Sequence, residues 1–300
     1  MTSSSPSRRL ARPLLSVALT TALLGAAPAH AIDVDAGDYV PAPAGTNLAL
    51  LYLQHATSDR LISQGATAPG DNGLGTDIGI LRLVHFMEIG GLIVDPQILL
   101  PFGRVRGRDD LAGALGRTTG LADPILAATV WVQNDPVNKV YTGITPYVYV
   151  PTGSYDAQRP LNLGEHRWRY NLQAAHVRPL GGPWTLDVIG DVTWYGKNDK
   201  FGATERTMKQ KALYQGQAWL RYALSPTADV RASVSRTFGG ATRVDGIGQN
   251  DRKATTKFSL GGAMFVGPKT QVIALWGRDT DVQNGFREES RINIRLLQLL

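Results

Sequence analysis

Residues 184 to 195 read WTLDVIGDVTWY, and this stretch decides the fold. Taking every second residue collects Trp184, Leu186, Val188, Gly190, Val192 and Trp194 on one side, and Thr185, Asp187, Ile189, Asp191, Thr193 and Tyr195 on the other. Successive side chains of a strand point to opposite faces, so one face is apolar with a tryptophan at each end and the other carries two carboxylates. At a rise of about 3.3 Å per residue and a tilt near 40°, the two tryptophans stand roughly 25 Å apart along a barrel axis. That is the height of the lipid-facing band between the aromatic girdles of a membrane barrel. A soluble sandwich strand would show the same alternation with its apolar face turned to a core. The linkers elsewhere in the chain separate the two readings.

The same patterning places strands near residues 46 to 56, 75 to 87, 92 to 103, 121 to 133, 139 to 151, 166 to 178, 184 to 195, 211 to 224, 230 to 239, 254 to 266, 270 to 280 and 288 to 299. The expectation is an all-β, antiparallel, up-and-down transmembrane barrel of about 12 strands. Long linkers follow the odd strands: Thr57 to Leu74, Arg104 to Gly120, Thr152 to Glu165, Gly196 to Gln210, Gly240 to Lys253 and Asp281 to Arg287. Short turns follow the even ones: Glu88 to Gly91, Asn134 to Asn138, Pro179 to Pro183, Ser225 to Asp229 and Gly267 to Lys269. Long loops on one side and tight turns on the other belong to an outer-membrane barrel with both termini on the turn side. A sandwich has no reason to segregate its linkers in this way.

Faces are cleanest in the later strands. Trp168, Tyr170 and Leu172 alternate with Arg167, Arg169, Asn171 and Gln173; Tyr214, Ala218 and Leu220 alternate with Gln215, Gln217, Trp219 and Arg221. Ile292, Ile294 and Leu296 alternate with Arg291, Asn293 and Arg295. Earlier strands are interrupted by Pro96, Pro101, Pro124 and Pro146, which cannot donate to a ladder and predict bulges, kinks or strand ends. Arg82 falls in phase with Ile78, Ile80, Val84 and Phe86, which points a cation at lipid unless it snorkels or a bulge changes the phase.

Met1 to Ala31 has Arg8, Arg9 and Arg12, an apolar run from Leu14 to Ala27 and the small-x-small site Ala29-His30-Ala31, which reads as a secretory signal with Ile32 as the mature start. The run is too short for a spanning helix, which needs about 20 residues. Cleavage takes three of the 31 basic side chains and none of the 25 acidic ones, so the formal charge of +6 is no argument for a nucleic-acid partner. The chain has no cysteine, hence no disulfide framework or thiolate site. The organisation expected is a leader over residues 1–31 and one barrel domain over 32–300.

Asp187 and Asp191 share a phase, and neighbouring strands offer Arg167, Arg169, Gln215, Gln217 and Arg221 to the same interior. These seven are the candidate solute-path residues of the lumen; the bland alternative is a salt-bridged network that fills and stiffens the barrel. His55, His85, His166 and His176 form no metal-ligand spacing, and no nucleophile signature marks an enzyme, so no metal, cofactor or catalytic residue is assigned. Gly239-Gly240 and Gly246-Ile247-Gly248 lack the helix and lysine of a phosphate loop and read as turn glycines. Arg104, Arg106 and Arg108 could meet lipopolysaccharide phosphates, although a solvated loop explains them as well.

The stretch GDYVPAPAGTNLALLYLQH from Gly37 to His55 is similar to the opening of the meta-pathway phenol-degradation proteins, a family of outer-membrane transporter-like barrels. Further similarities run through Pro96 to Gly103, Gly120 to Pro124 and Tyr149 to Tyr155. The resemblance implies an outer-membrane location in a Gram-negative bacterium and passage of a small hydrophobic or aromatic solute. It also implies outer-membrane lipid, lipopolysaccharide and the barrel-insertion machinery as partners; Leu300 departs from the aromatic residue with which such barrels commonly end. The alternative is a barrel of closed lumen acting as a lipid-modifying enzyme or a structural protein.

Overall fold

The computed structural model describes residues 34–300, so the expected leader and its cleavage site lie outside the described residues. Twelve antiparallel strands form a closed barrel. They are β1 (Asn47–Ser63), β2 (Asn72–His85), β3 (Leu92–Asp109), β4 (Ile125–Asp135), β5 (Val140–Tyr149) and β6 (Arg169–Gly181). The second half comprises β7 (Trp184–Tyr195), β8 (Leu213–Ser225), β9 (Ala228–Gly239), β10 (Lys253–Phe265), β11 (Thr270–Val282) and β12 (Gly285–Leu299). β1 pairs with β12 from Leu48↔Leu299 to Ile62↔Gly285, which closes the sheet and leaves no edge to be satisfied in lipid.

The decisive stretch is β7, and its faces divide as its alternation requires. Trp184, Val188 and Trp194 are exposed on the outside, whereas Asp187, Ile189 and Thr193 are buried inside. Aromatic pairs mark both rims of the outer apolar belt. Trp184 meets Tyr222 edge-on at 4.8 Å near the turns, and toward the loops Trp168 stacks on Tyr170 and Tyr214 on Phe238.

Three local expectations are corrected. Strand β2 faces the other way: Arg82 and its in-phase neighbours Ile78, Ile80, Val84 and Phe86 point into the barrel, while Leu81 and Leu83 are exposed outside. Both faces of β2 are apolar, so periodicity alone left its sense open, and burial of the charge fixes it. The linker expected from Asp281 to Arg287 is a short turn, Gln283–Asn284, because β11 and β12 continue to either side of it and Gly285 supplies a φ of +123°. β1 and β3, at 17 and 18 residues, likewise extend through much of what read as loop. Beyond the lipid belt polar residues such as Ser58, Asp59, Arg60, Arg104, Arg106 and Arg108 break up the apolar run, and only Leu61, Ile62 and Val105 remain as buried apolar positions.

Pro101 and Pro124 sit where ladders end, as expected, whereas Pro96 and Pro146 lie within paired runs, opposite Ala128 and Leu172. β3 pairs with β4 only from Val94 to Leu99; past Pro101 its partner is the short strand Arg117–Leu121, and Ala122 to Pro124 lie outside any strand. A register shift between Trp131 and Gln133 adds a bulge to the β4–β5 pair. Among the described residues helix is confined to Ala112–Leu115, in the loop after β3.

Ahead of β1, residues 34–46 run inside the barrel. Val34, Ala36 and Tyr39 are buried among inward side chains of the wall, including Trp131, Val177 and Trp219. Just before β1 the segment is rooted to the end of β2 by Gly45 N–H donating to the Phe86 carbonyl at 2.7 Å and by Phe86 N–H donating to the Thr46 carbonyl at 2.9 Å.

Candidate functional site

The inward segment forms the floor of the site. Its backbone polar groups need partners inside the barrel, and side chains of β7, β8 and β9 supply them. Gln217 receives Val34 N–H at 3.3 Å and donates to the Val34 carbonyl at 2.9 Å, which also accepts from Trp219 Nε1 at 2.8 Å. Arg231 donates to the Ala36 carbonyl at 2.8 Å, and Gly37 N–H donates to Asp187 at 2.7 Å. Gly37 holds a φ of +87°, a conformation that a side chain would strain. Tyr39 completes the seat: its hydroxyl donates to Gln173 at 2.8 Å, and its ring meets Trp131 edge-on at 5.7 Å. Room for that ring comes from Gly143, where a Cβ would stand 2.8 Å from Tyr39.

Two carboxylates on the floor meet two guanidiniums on the wall. Arg82 of β2 reaches Asp38 at 3.0 Å, the Tyr52 hydroxyl at 2.8 Å and Gln97 at 2.9 Å. Arg295 of β12 bonds Asp38 as well, lies 3.4 Å from Asp35 and donates to Gln271 at 2.9 Å. All four ionic groups are largely buried. Such groups are tolerated in a low dielectric because each cation's fork is shared among several acceptors.

Above the floor is a cavity of about 230 Å³. One side is apolar, made by Ile78 and Ile80 of β2, Leu99 and Pro101 of β3 and Ile125 of β4. Tyr39, Tyr52, Tyr147 and Tyr149 add aromatic surface, and Arg82, Arg169, Arg291 and Arg295 add positive charge. The roof is the loop before β6, which contributes Asn162, Leu163 and Glu165. This loop is pinned over the barrel mouth by Leu161, buried against Leu74, Val105, Leu111 and Leu115, with Thr118 donating to its carbonyl at 2.6 Å. Glu165 bonds Arg169 at 2.8 Å and also pairs with Arg167. Burial alone would raise its carboxyl, but Arg169 and then Arg167 outweigh that and bring its pKa down to about 2.

The seven residues proposed from sequence occupy different parts of this arrangement. Arg169 lines the cavity, its guanidinium 4.0 Å above the Tyr149 ring. Arg167 stands higher, over the Tyr195 ring and bonded to Glu165 and Gln210. Asp187, Gln217 and Arg221 belong to the floor, with Arg221 bonded to Asp187 at 2.9 Å. Asp191 accepts from Asn171 at 2.8 Å, and Gln215 is buried beside it on the neighbouring strand. Sequence reasoning passed over Asp35, Asp38, Tyr52, Tyr147 and Tyr149. A signal did exist for Arg82, a cation in the otherwise apolar run Ile80 to Val84, and for Arg295, a cation on the lumen face of a membrane strand; either requires a buried partner. The partners sit in a segment whose turn-forming composition gave no reason to look inside the barrel.

The description "Putative MetA-pathway of phenol degradation" belongs to the family model that matches residues 57–296. Among solved structures the chain is similar to the COG4313 outer membrane channel from Pseudomonas putida F1, at 38% identity and a TM-score of 0.86, covering 89% of this chain and 100% of that one. It also shares its fold with the transport unit of the autotransporter AIDA-I from Escherichia coli, at 9% identity and a TM-score of 0.51, covering 95% and 98% of the two chains. No curated protein matches the chain.

Proposed function

This chain belongs to the MetA-pathway phenol-degradation family and is an outer-membrane, channel-type barrel of the Gram-negative envelope; from that premise we propose that it passes small aromatic or apolar solutes through its lumen. The observation that carries the reading is the cavity, in which a planar ring can lie against four tyrosines and an aliphatic wall while polar groups hold its substituent. A barrel filled only for rigidity would place polar network on every side, and here one side is apolar and open. The similar Pseudomonas putida protein is an outer membrane channel, and its overlap with this chain along nearly the whole barrel supports the same expectation here.

On this reading Arg167, Arg169, Asp187, Asp191, Gln215, Gln217 and Arg221 set the polar track along the rest of the lumen, because fixed charge acts strongly in a narrow, low-dielectric passage. The leader ends at Ala31, so that Ile32 precedes the inward segment. Outer-membrane lipid covers the apolar belt, lipopolysaccharide meets the rim at Arg104, Arg106 and Arg108, and the insertion machinery assembles the barrel.

Liposomes carrying the folded protein should take up phenol and benzoate faster than empty ones, and Asp187→Asn with Asp191→Asn should change the rate. Folded protein that speeds entry of no aromatic or apolar solute would favour the closed barrel with an enzymatic or structural role. Uptake indifferent to the two substitutions would keep passage and remove those residues from the path. Intact-mass measurement of protein extracted from membranes should place the amino terminus at Ile32; a retained Met1 would remove the cleaved leader.

A further inference from the structure

The floor of the cavity and its most concentrated positive charge are one construction. Residues 34–44 share no strand ladder with the wall; side chains hold them, and the ionic share of that hold passes through Asp35 and Asp38. Asp38 joins β2 to β12 by bonding both Arg82 and Arg295. These four groups all border the cavity, within the same apolar and aromatic surroundings. Arg82 and Arg295 face Asp35 and Asp38, and Arg169 and Arg291 are paired with Glu165 and Glu288, so a solute bringing a carboxylate of its own adds an anion where each guanidinium already has one. Leaving an uncompensated charge buried there is costly, and the least constrained anion is the one carried on the inward segment. Gly45, with a φ of +88° and open space around it, gives that segment a pivot.

We propose that the cavity selects the anions of aromatic acids, and that the solute's carboxylate takes the Arg82 and Arg295 forks from Asp38, releasing residues 34–44 from the lumen. The proposal rests on the passage of aromatic solutes proposed above and adds their ionic class and the way the floor yields. The exchange is carboxylate for carboxylate at the same donors, one oxygen for the Arg82 Nη1 and the other for the Arg295 Nη1, so each guanidinium keeps an anionic acceptor as the floor leaves. A neutral phenol or hydrocarbon of similar size fits the same tyrosines but has nothing to offer the guanidiniums.

The chain's lack of cysteine makes the exchange directly readable. Ala36→Cys places one thiol on the buried floor, and its maleimide labelling in nanodiscs reports release. Benzoate should speed labelling about tenfold, within the usual range of coupling between sites, while benzyl alcohol at equal concentration leaves it slow. Asp38→Asn in the same background should label fast without benzoate and respond little to it, with heat-dependent gel mobility confirming a folded barrel. Should that variant not fold, the contrast between benzoate and benzyl alcohol on Ala36→Cys alone decides. Equal acceleration by both compounds, or a folded Asp38→Asn variant that labels as slowly as its parent, overturns the exchange. Liposome uptake of benzoate with labelling unmoved by it also overturns the exchange but leaves passage standing; benzoate-driven labelling without uptake of any aromatic solute supports the exchange and overturns passage.

Discussion

The wall from β6 to β9 and the wall from β2 to β4 obey one hydrogen-bonding rule and differ in what their inner faces touch. Inside β6 to β9 stand Asn171, Gln173, Asp187, Gln217 and Arg231, bonded to neighbouring side chains such as Asp191 and Tyr147 and to the inward segment. Inside β2 to β4 stand Ile78, Ile80, Leu99, Pro101 and Ile125, which leave a cavity uncovered. The first wall alternates apolar with polar along its length; the second keeps its inner polar groups, Arg82, Asp95, Gln97 and Thr129, in one bonded cluster and leaves an apolar patch beside it. In a membrane barrel the lumen is the polar side by default, so an inner face that gives up polarity marks the place where an apolar ligand is accommodated.

The comparison breaks most readily at the faces. Val188→Arg in β7 and Leu81→Arg in β2 both put a cation into lipid and should each cost about 2–4 kcal/mol near mid-membrane, while Ile80→Arg, facing the cavity, should cost clearly less. Urea titration of the barrel in lipid vesicles would measure this. If Ile80→Arg is as damaging as Leu81→Arg, β2 does not turn Ile80 toward the lumen.

Seating of the inward segment gives the next largest effect. Gly143→Val, opposite Tyr39, should overpack the seat by about 1–3 kcal/mol and loosen residues 34–44 without unfolding the wall. Faster proteolysis of that segment, with unchanged heat-dependent mobility, is the expected result; full protection would mean that Tyr39 is not what the glycine makes room for.

The smallest effect concerns the roof. Glu165 is depressed in the folded barrel, so its contribution is fully present above its unfolded value near 4.5 and is lost as pH falls toward about 2. Hydrogen exchange over residues 156–164 should therefore quicken across that window in the native protein. In Glu165→Gln it should be quick already and change little with pH. The same pH response in both proteins would remove the roof's dependence on the pairs with Arg169 and Arg167.

These tests also mark where the sequence was readable. Trp184 to Tyr195 could be assigned because its two faces meet different surroundings, lipid and a polar lumen. The linker rhythm could be assigned because turns and loops sit on opposite sides of a membrane. The sense of β2 was not readable, because lipid and an apolar cavity select the same residues. The candidate site was half visible for a related reason: Asp187 and Arg221 announce themselves on the polar face of alternating strands, while Asp38 lies among turn formers where an acid is unremarkable. Its role depends on Arg295, 257 positions away in the chain.

That separation has a consequence for time. Arg295 reaches its place only when β12 has paired with β1, which is the step that closes the barrel, so the contact with Asp38 is inaccessible to any partly assembled sheet. Contacts between such distant segments come late because the chain between them must be ordered first. The inward segment is therefore seated after the wall is complete, and the lumen stays unobstructed throughout assembly. In a folding experiment, protection of Ala36→Cys from labelling should appear with or after the closed, heat-modifiable form and never before it, so that a single thiol dates the moment at which the cylinder shuts.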